Sequence, residues 1–186
     1  MKPTLLQLAE IFHSDKLHWH SYIPKYEELF KDRKVETLLE IGIGYADLMT
    51  PFLPEGVSYI HGSSLYMWQE YFPDAAIFAC DIREGTLINE GRIHSMVCDQ
   101  SSRSDLFKVA YECKRFPDVI IDDGSHIYEH QRITAQFFVP YMPVGALYVI
   151  EDVWDNEKGH ALATEFGGEL WRGEKGRDDN MVVIQK

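Results

Sequence analysis

Two amphipathic stretches open the chain. Leu5, Leu8, Ile11 and Phe12 recur at helical spacing after Pro3-Thr4, and Tyr22, Tyr26, Leu29 and Phe30 do so after Ser21. Each stripe needs an apolar partner, so residues 1–34 are expected to form a helical lead-in packed on the main body. From Val35 the pattern changes to short apolar runs: Thr37 to Ile41, Ala76 to Cys80, Ile93 to Cys98, Val119 to Ile121 and Ala146 to Ile150. Helix-like segments alternate with them, at Leu65 to Phe72, Asp105 to Arg115 and Tyr128 to Tyr141. Strands covered on both faces read as unbroken apolar runs, so the alternation predicts an α/β, doubly wound, mostly parallel sheet. Gly168 to Trp171 and Met181 to Ile184 read as a terminal antiparallel hairpin, which brings the sheet to seven strands. Residues 1–186 are thus read as a single domain.

The stretch from Met49 to Gly56, with Gly62-Ser63, is rich in turn formers and makes residues 47–63 a long loop after the first strand. A lid and an idle insertion are equal readings of it.

Composition narrows the partners. The 18 basic residues against 30 acidic ones give a formal charge of −12, which repels nucleic acid and anionic membrane surfaces. The plainer meaning of that charge is solubility. Cys80, Cys98 and Cys113 are odd in number and widely spaced, which argues against disulfides and zinc and fits a reducing, cytoplasmic setting. No apolar run approaches the roughly 20 residues that span a bilayer.

Candidate chemistry lies at the strand ends. Glu40-Ile41-Gly42-Ile43-Gly44 follows the first strand, where glycines admit a ligand close to the backbone. Position 47 is Asp47, so the third glycine of a dinucleotide fingerprint is missing. Asp81 ends the second strand, placed to accept ribose hydroxyls, and Asp99-Gln100 close the third near where an adenine edge would lie. Singly, each is more commonly a loop carboxylate or helix cap; together, on three successive strands, they favour a nucleoside ligand.

The fourth strand ends in Asp122-Asp123-Gly124-Ser125-His126 and the fifth in Glu151-Asp152. Strands ending level would gather Asp123, Glu151 and Asp152 on one rim, where like charges repel unless a cation binds between them. A hard divalent ion such as Mg²⁺ suits such oxygen ligands. On residues alone, acidic helix caps with His126 as a surface histidine explain the segment as well. His18, Trp19 and His20 are placed either to roof the site or to pack. His130 lacks an HExxH context and reads as solvated or capping.

These motifs in combination resemble one family. The segments Thr37 to Gly44, Ser64-Leu65-Tyr66-Met67-Trp68, Ala79-Cys80-Asp81-Ile82, Asp99-Gln100-Ser101, Asp122 to His126 and Val149 to Trp154 look like the class I methyltransferases that O-methylate sugars on macrolides. That is the mycinamicin and macrocin group, related to the cephalosporin-hydroxylase family. Ser14-Asp15-Lys16, His18-Trp19, Tyr22 and Tyr26-Glu27 are similar to its lead-in. The resemblance implies a Rossmann-like fold binding S-adenosylmethionine. Glu40, Gly42 and Gly44 would line its methionine part, with Ser64 a weaker candidate at the carboxylate end. Asp81, with Ile82 beside it, would hold the ribose, Asp99 and Gln100 would lie near adenine, and Asp122 would end its strand on the cofactor side. It further implies a divalent metal, Mg²⁺, on Asp123, Glu151 and Asp152, and His126 as general base toward a hydroxyl on a sugar-bearing small molecule or glycan.

Relative to that group the 47–63 loop is longer, and the chain reads as lacking an auxiliary N-terminal domain and a long C-terminal extension. Whether it acts alone, as a homo-oligomer or within a larger system stays open. Two alternatives stand beside this reading. One is a catechol-type O-methyltransferase, which typically carries Asp-Asp-Asn and a lysine where this chain has Glu151 and His126. The other is a cofactor-binding module without turnover.

Overall fold

A computed structural model describes residues 2–176 and 178–186. Helix α1 (Leu5–Ile11) begins at a reciprocal cap, in which the Thr4 hydroxyl accepts from the Gln7 amide and the Gln7 side chain accepts from the Thr4 amide. A short α2 (Asp15–His18) and α3 (Tyr22–Phe30) complete the lead-in. The α/β body follows as β1 (Thr37–Ile41), α4 (Ala46–Met49), α5 (Ser63–Tyr71), β2 (Ala76–Asp81), β3 (Ile93–Val97), α6 (Arg103–Glu112), β4 (Val119–Asp122), α7 (Tyr128–Phe138), β5 (Leu147–Ile150), α8 (Asn156–Phe166), β6 (Glu169–Arg172) and β7 (Asn180–Gln185).

The strands form one sheet in the order β3-β2-β1-β4-β5-β7-β6, parallel except where β7 runs antiparallel to both neighbours. Side chains alternate between its faces, so each apolar run serves two cores. Leu38, Val119, Ile121, Leu147, Val149 and Val183 meet α1, α3 and α5 on one face. Leu39, Ile120, Tyr148, Ile150 and Val182 meet α6, α7 and α8 on the other. The lead-in is thus half of one layer. Trp68 of α5 stands edge-on to Tyr26 and Phe30 of α3, with ring centroids 5.3 and 5.6 Å apart.

The structure differs locally from the sequence pattern in three places. The α1 stripe is Leu5, Leu8 and Ala9, while Ile11 is 60% exposed. Helix α7 stops at Phe138 because Pro140 has no N–H to continue it, and Val139–Tyr141 tightens into a 3₁₀ turn. The 47–63 stretch is partly helical, with α4 followed by a 3₁₀ turn at Thr50–Phe52. Helix α8 has no counterpart in the sequence expectation. No helix among the described residues is long and apolar enough to cross a membrane.

Candidate active site

Strand order reverses between β2-β1 and β4-β5, and the parallel registers align Ile41 with Cys80 and Asp122, and Asp122 with Ile150. The loops leaving these ends enclose a cavity of about 740 Å³. A crevice at such a switch point is where open α/β sheets bind ligands.

One wall is the turn after β1. Gly42 has φ +96°, and a β-carbon there would stand 2.0 Å from the Asp123 carbonyl oxygen. The close approach that demands this glycine is therefore to the β4 turn, while its backbone also lines the cavity. Gly44, at φ +75°, faces Met49 and the Tyr59 hydroxyl. Asp81 holds the turn in place: its Oδ2 accepts from the Ile43 amide at 2.9 Å and its Oδ1 from the Arg83 amide at 2.9 Å. Asp81, Ile82, Asp99 and Gln100 all line the cavity. Hydrogen bonds from the Ser101 hydroxyl and amide hold the Asp99 carboxyl below the usual carboxylate range. Gln100 turns its amide inward, donating to Asp122 Oδ1 at 2.9 Å and accepting from the Ser125 amide at 2.6 Å, and so ties the end of β3 to that of β4.

Two residues expected at the cofactor stand within the wall. The strand pleat turns Glu40 toward α5, where its Oε2 accepts from Ser64 Oγ at 2.8 Å and Trp68 Nε1 at 3.1 Å. It turns Asp122 to the opposite face, where it accepts from Gln100 and from the Tyr148 hydroxyl at 3.1 Å. Burial pushes each carboxyl up to about 7. Neither is among the lining groups, whereas Ser64 is.

The second constellation is the carboxylate rim. At the ends of β4 and β5, Lys16 of α2 inserts its ammonium between Asp123 Oδ2, at 2.6 Å, and Glu151 Oε2, at 2.5 Å. Glu40 Oε1 lies 3.4 Å from the same nitrogen, an ion-pair contact without hydrogen-bond geometry. The other Glu151 oxygen accepts from the Tyr26 hydroxyl. Burial works to lower the Lys16 pKa, but Asp123, Glu151 and Glu40 together hold it well above the ordinary lysine value. Burial, reinforced by Asp123 and Asp152, raises Glu151 well above its usual range despite Lys16. Burial works to raise Asp123, but Lys16, His126 and His20 together hold it below its usual range.

Asp152 points outward from this buried layer. Its Oδ1 accepts from the Tyr22 hydroxyl at 2.8 Å and its Oδ2 lies 3.7 Å from His126 Nε2. Asp123, His126 and Asp152 each offer a ligand atom, all within 4.8 Å of one another. His126 and Asp152 both have left-handed backbones, φ +55° and +52°, as do His13, Asp32 and Lys114 outside the site. His20 stacks on Tyr22 at 4.5 Å, and Trp19 packs against Phe52 at 5.0 Å, which brings the lead-in over the cavity mouth. His130 accepts or donates across the turn to Ser125 Oγ at 2.9 Å.

No protein-family model matches the chain. It is 35% identical over 162 residues to mycinamicin VI 2''-O-methyltransferase of Micromonospora griseorubida, covering 82% of this chain and 37% of that protein. It is 34% identical over 184 residues to demethylmacrocin O-methyltransferase of Streptomyces fradiae, covering 89% and 42%. This chain is a homologue of those O-methyltransferases. Among solved structures, the MycE methyltransferase of the mycinamycin pathway, determined with Mg and SAH, superposes on all of this chain with a TM-score of 0.78 at 27% identity. The homologue described here spans 55% of that structure's length, and its mixed sheet has the class I methyltransferase fold.

The residues present fit both groups. Two of the four buried side-chain atoms without a hydrogen-bond partner among the described residues, His20 Nδ1 and His126 Nδ1, belong to cavity-lining residues. The outward carboxylates of Asp123 and Asp152 with the His126 imidazole form a donor set suited to a hard divalent cation. Lys16 is the rim residue to which the sequence motifs assigned no role. The signal was present: three rim carboxylates require a positive charge, and Lys16 lies in the segment that resembles the family's lead-in.

Proposed function

We propose that this chain transfers the methyl group of S-adenosylmethionine to a sugar hydroxyl of a glycosylated small molecule or glycan, with a divalent metal such as Mg²⁺. The observation that carries the reading is the convergence of Asp123, His126 and Asp152 at the mouth of the cavity walled by Ile41–Gly44 and Asp81. Homology to O-methyltransferases, and MycE's solution with Mg and SAH, support it.

In this reading Gly42 and Gly44 pass along the methionine part of the cofactor. Asp81 and Ile82 take the ribose, and Asp99 and Gln100 face the adenine. Ser64 lines the cavity, and Glu40 and Asp122 shape its wall from within. Asp123 and Asp152 hold the cation, with Glu151 supporting or joining them. When bound, the cation supplies Lewis acidity toward the acceptor hydroxyl. As the oxygen forms its bond to the methyl carbon, the carbon–sulfur bond breaks and S-adenosylhomocysteine leaves, so the hydroxyl proton needs an acceptor. His126 serves as that base, oriented by Asp152. Much of the rate comes from fixing the oxygen beside the methyl carbon.

The cluster geometry also favours a second role for His126, as a ligand. Methyl transfer to glycosides and to catechols, before and after stringent EDTA treatment, tests the proposal. Glycoside turnover that disappears with the metal and returns with Mg²⁺ is expected, while undiminished turnover ends the metal role. In His126→Ala, lost turnover with unchanged Mn²⁺ affinity identifies a base, and weakened affinity identifies a ligand.

We further place the protein in the cytoplasm, which its three free buried cysteines favour. The charge of −12 disfavours nucleic acid as a partner. Residues 1–186 act as one domain, and sedimentation would measure whether it works alone or as a homo-oligomer.

A further inference from the structure

The rim holds a cation of its own. Lys16 is 1% exposed and reaches Glu40, Asp123 and Glu151, which lie at or just beyond the ends of the adjacent strands β1, β4 and β5. Its ammonium makes hydrogen bonds to Asp123 and Glu151, and Tyr26 takes the remaining Glu151 oxygen. A buried carboxylate without such a partner is costly, so Lys16 holds the rim in order from inside the protein. Asp123 belongs at once to this inner contact and to the outward group with His126 and Asp152.

We infer that Lys16 is a positioning residue that acts as a resident counter-ion and opposes divalent-cation binding through the shared carboxylates. The inference rests on the proposed metal role. A divalent ion at the outer group draws on the same negative charge that binds the ammonium, and the two cations repel across it. Cation binding therefore weakens the hold of Asp123 and Glu151 on Lys16. Because Lys16 lies in α2, four residues or fewer from cavity-lining Trp19 and His20, this couples the ion to the seating of the lead-in. Coupling of this kind is reciprocal, so removing one cation strengthens the hold on the other.

The test is Mn²⁺ binding to the purified chain at fixed pH, by calorimetry and by electron paramagnetic resonance of the free ion, for wild type, Lys16→Met and Lys16→Arg. Lys16→Met keeps the length of the side chain without its charge. It is expected to melt at a lower temperature without metal and to bind Mn²⁺ about tenfold more tightly, within the usual range of coupling between sites. Lys16→Arg should stay near the wild-type affinity. Equal or weaker Mn²⁺ binding by a folded Lys16→Met overturns the inference while leaving the metal role intact. No Mn²⁺ binding by wild type at millimolar concentration overturns both. Should Lys16→Met not fold, hydrogen exchange of residues 14–20 in the wild-type chain decides. Faster exchange at saturating Mn²⁺ supports the opposition, and unchanged or slower exchange overturns it.

Discussion

Glu40 illustrates what burial does to a single residue. Its carboxyl sits at about 7 in the folded chain, against 4.5 for an ordinary glutamate, because burial, reinforced by Asp123, outweighs Lys16 and Ser64. The folded state keeps a proton that the unfolded chain releases, so stability is fullest below pH 4.5 and falls as pH rises to about 7. The loss over that window is about 3 kcal/mol at one pKa unit per 1.36 kcal/mol. Glu40→Gln removes this dependence. Urea unfolding at pH 5 and pH 8 should show a smaller fall in stability for the variant than for wild type, and equal falls would refute the assignment. Gly42 is constrained by sterics instead. Gly42→Ala places a methyl against the Asp123 carbonyl at a backbone angle that alanine avoids, and should cost roughly 3 kcal/mol. Calorimetry should show S-adenosylhomocysteine binding lost with it.

Among the elements, strands were the most legible. The runs Thr37 to Ile41 and Val119 to Ile121 reappear as β1 and β4, β4 extending by Asp122, because both faces of each strand are buried and every position must be apolar or paired. Helix α8 was not legible. It buries Gly159, Leu162 and Ala163, a stripe with one large apolar residue that leaves little periodic signal, and its Gly159 permits Leu170 and Val153 to come close. Its ends are nonetheless well marked, by Asp155 accepting from the Glu157 and Lys158 amides and by left-handed Gly167. Asp155→Ala should lower stability by about 1 kcal/mol in urea unfolding, with cation affinity unchanged. The candidate site follows the same division. Residues standing at strand ends were found, whereas which way each side chain turns depended on the pleat, and Glu40 and Asp122 turned into the wall.

At the scale of the whole molecule, cavity and rim share one set of backbone supports. Asp81 fixes the turn at Gly42–Gly44, Gly42 abuts Asp123, and Asp123 meets Lys16. Ligands that bind only the folded state add to its stability in proportion to the logarithm of their concentration over Kd. S-adenosylhomocysteine and Mg²⁺ should therefore each raise the melting temperature of the wild-type chain. Asp81→Ala should reduce the S-adenosylhomocysteine shift at least to half, measured by differential scanning fluorimetry. An Asp81→Ala protein that responds like wild type would remove Asp81 from the ribose site.

The sequence by itself determined the layered α/β architecture, the strands, and the acidic and glycine positions at their ends. Those follow from local rules: burial on two faces demands apolar runs, and ligands meet such sheets where strands stop. Only the tertiary structure decided that Lys16, 107 residues from Asp123 and 135 from Glu151, fills the centre of the rim. It also decided that His126 stands with Asp123 and Asp152 while Glu151 lies beneath, held by Lys16 and Tyr26. The reason is physical: a buried charge chooses its partners by distance in the folded chain, and sequence spacing carries no record of that distance.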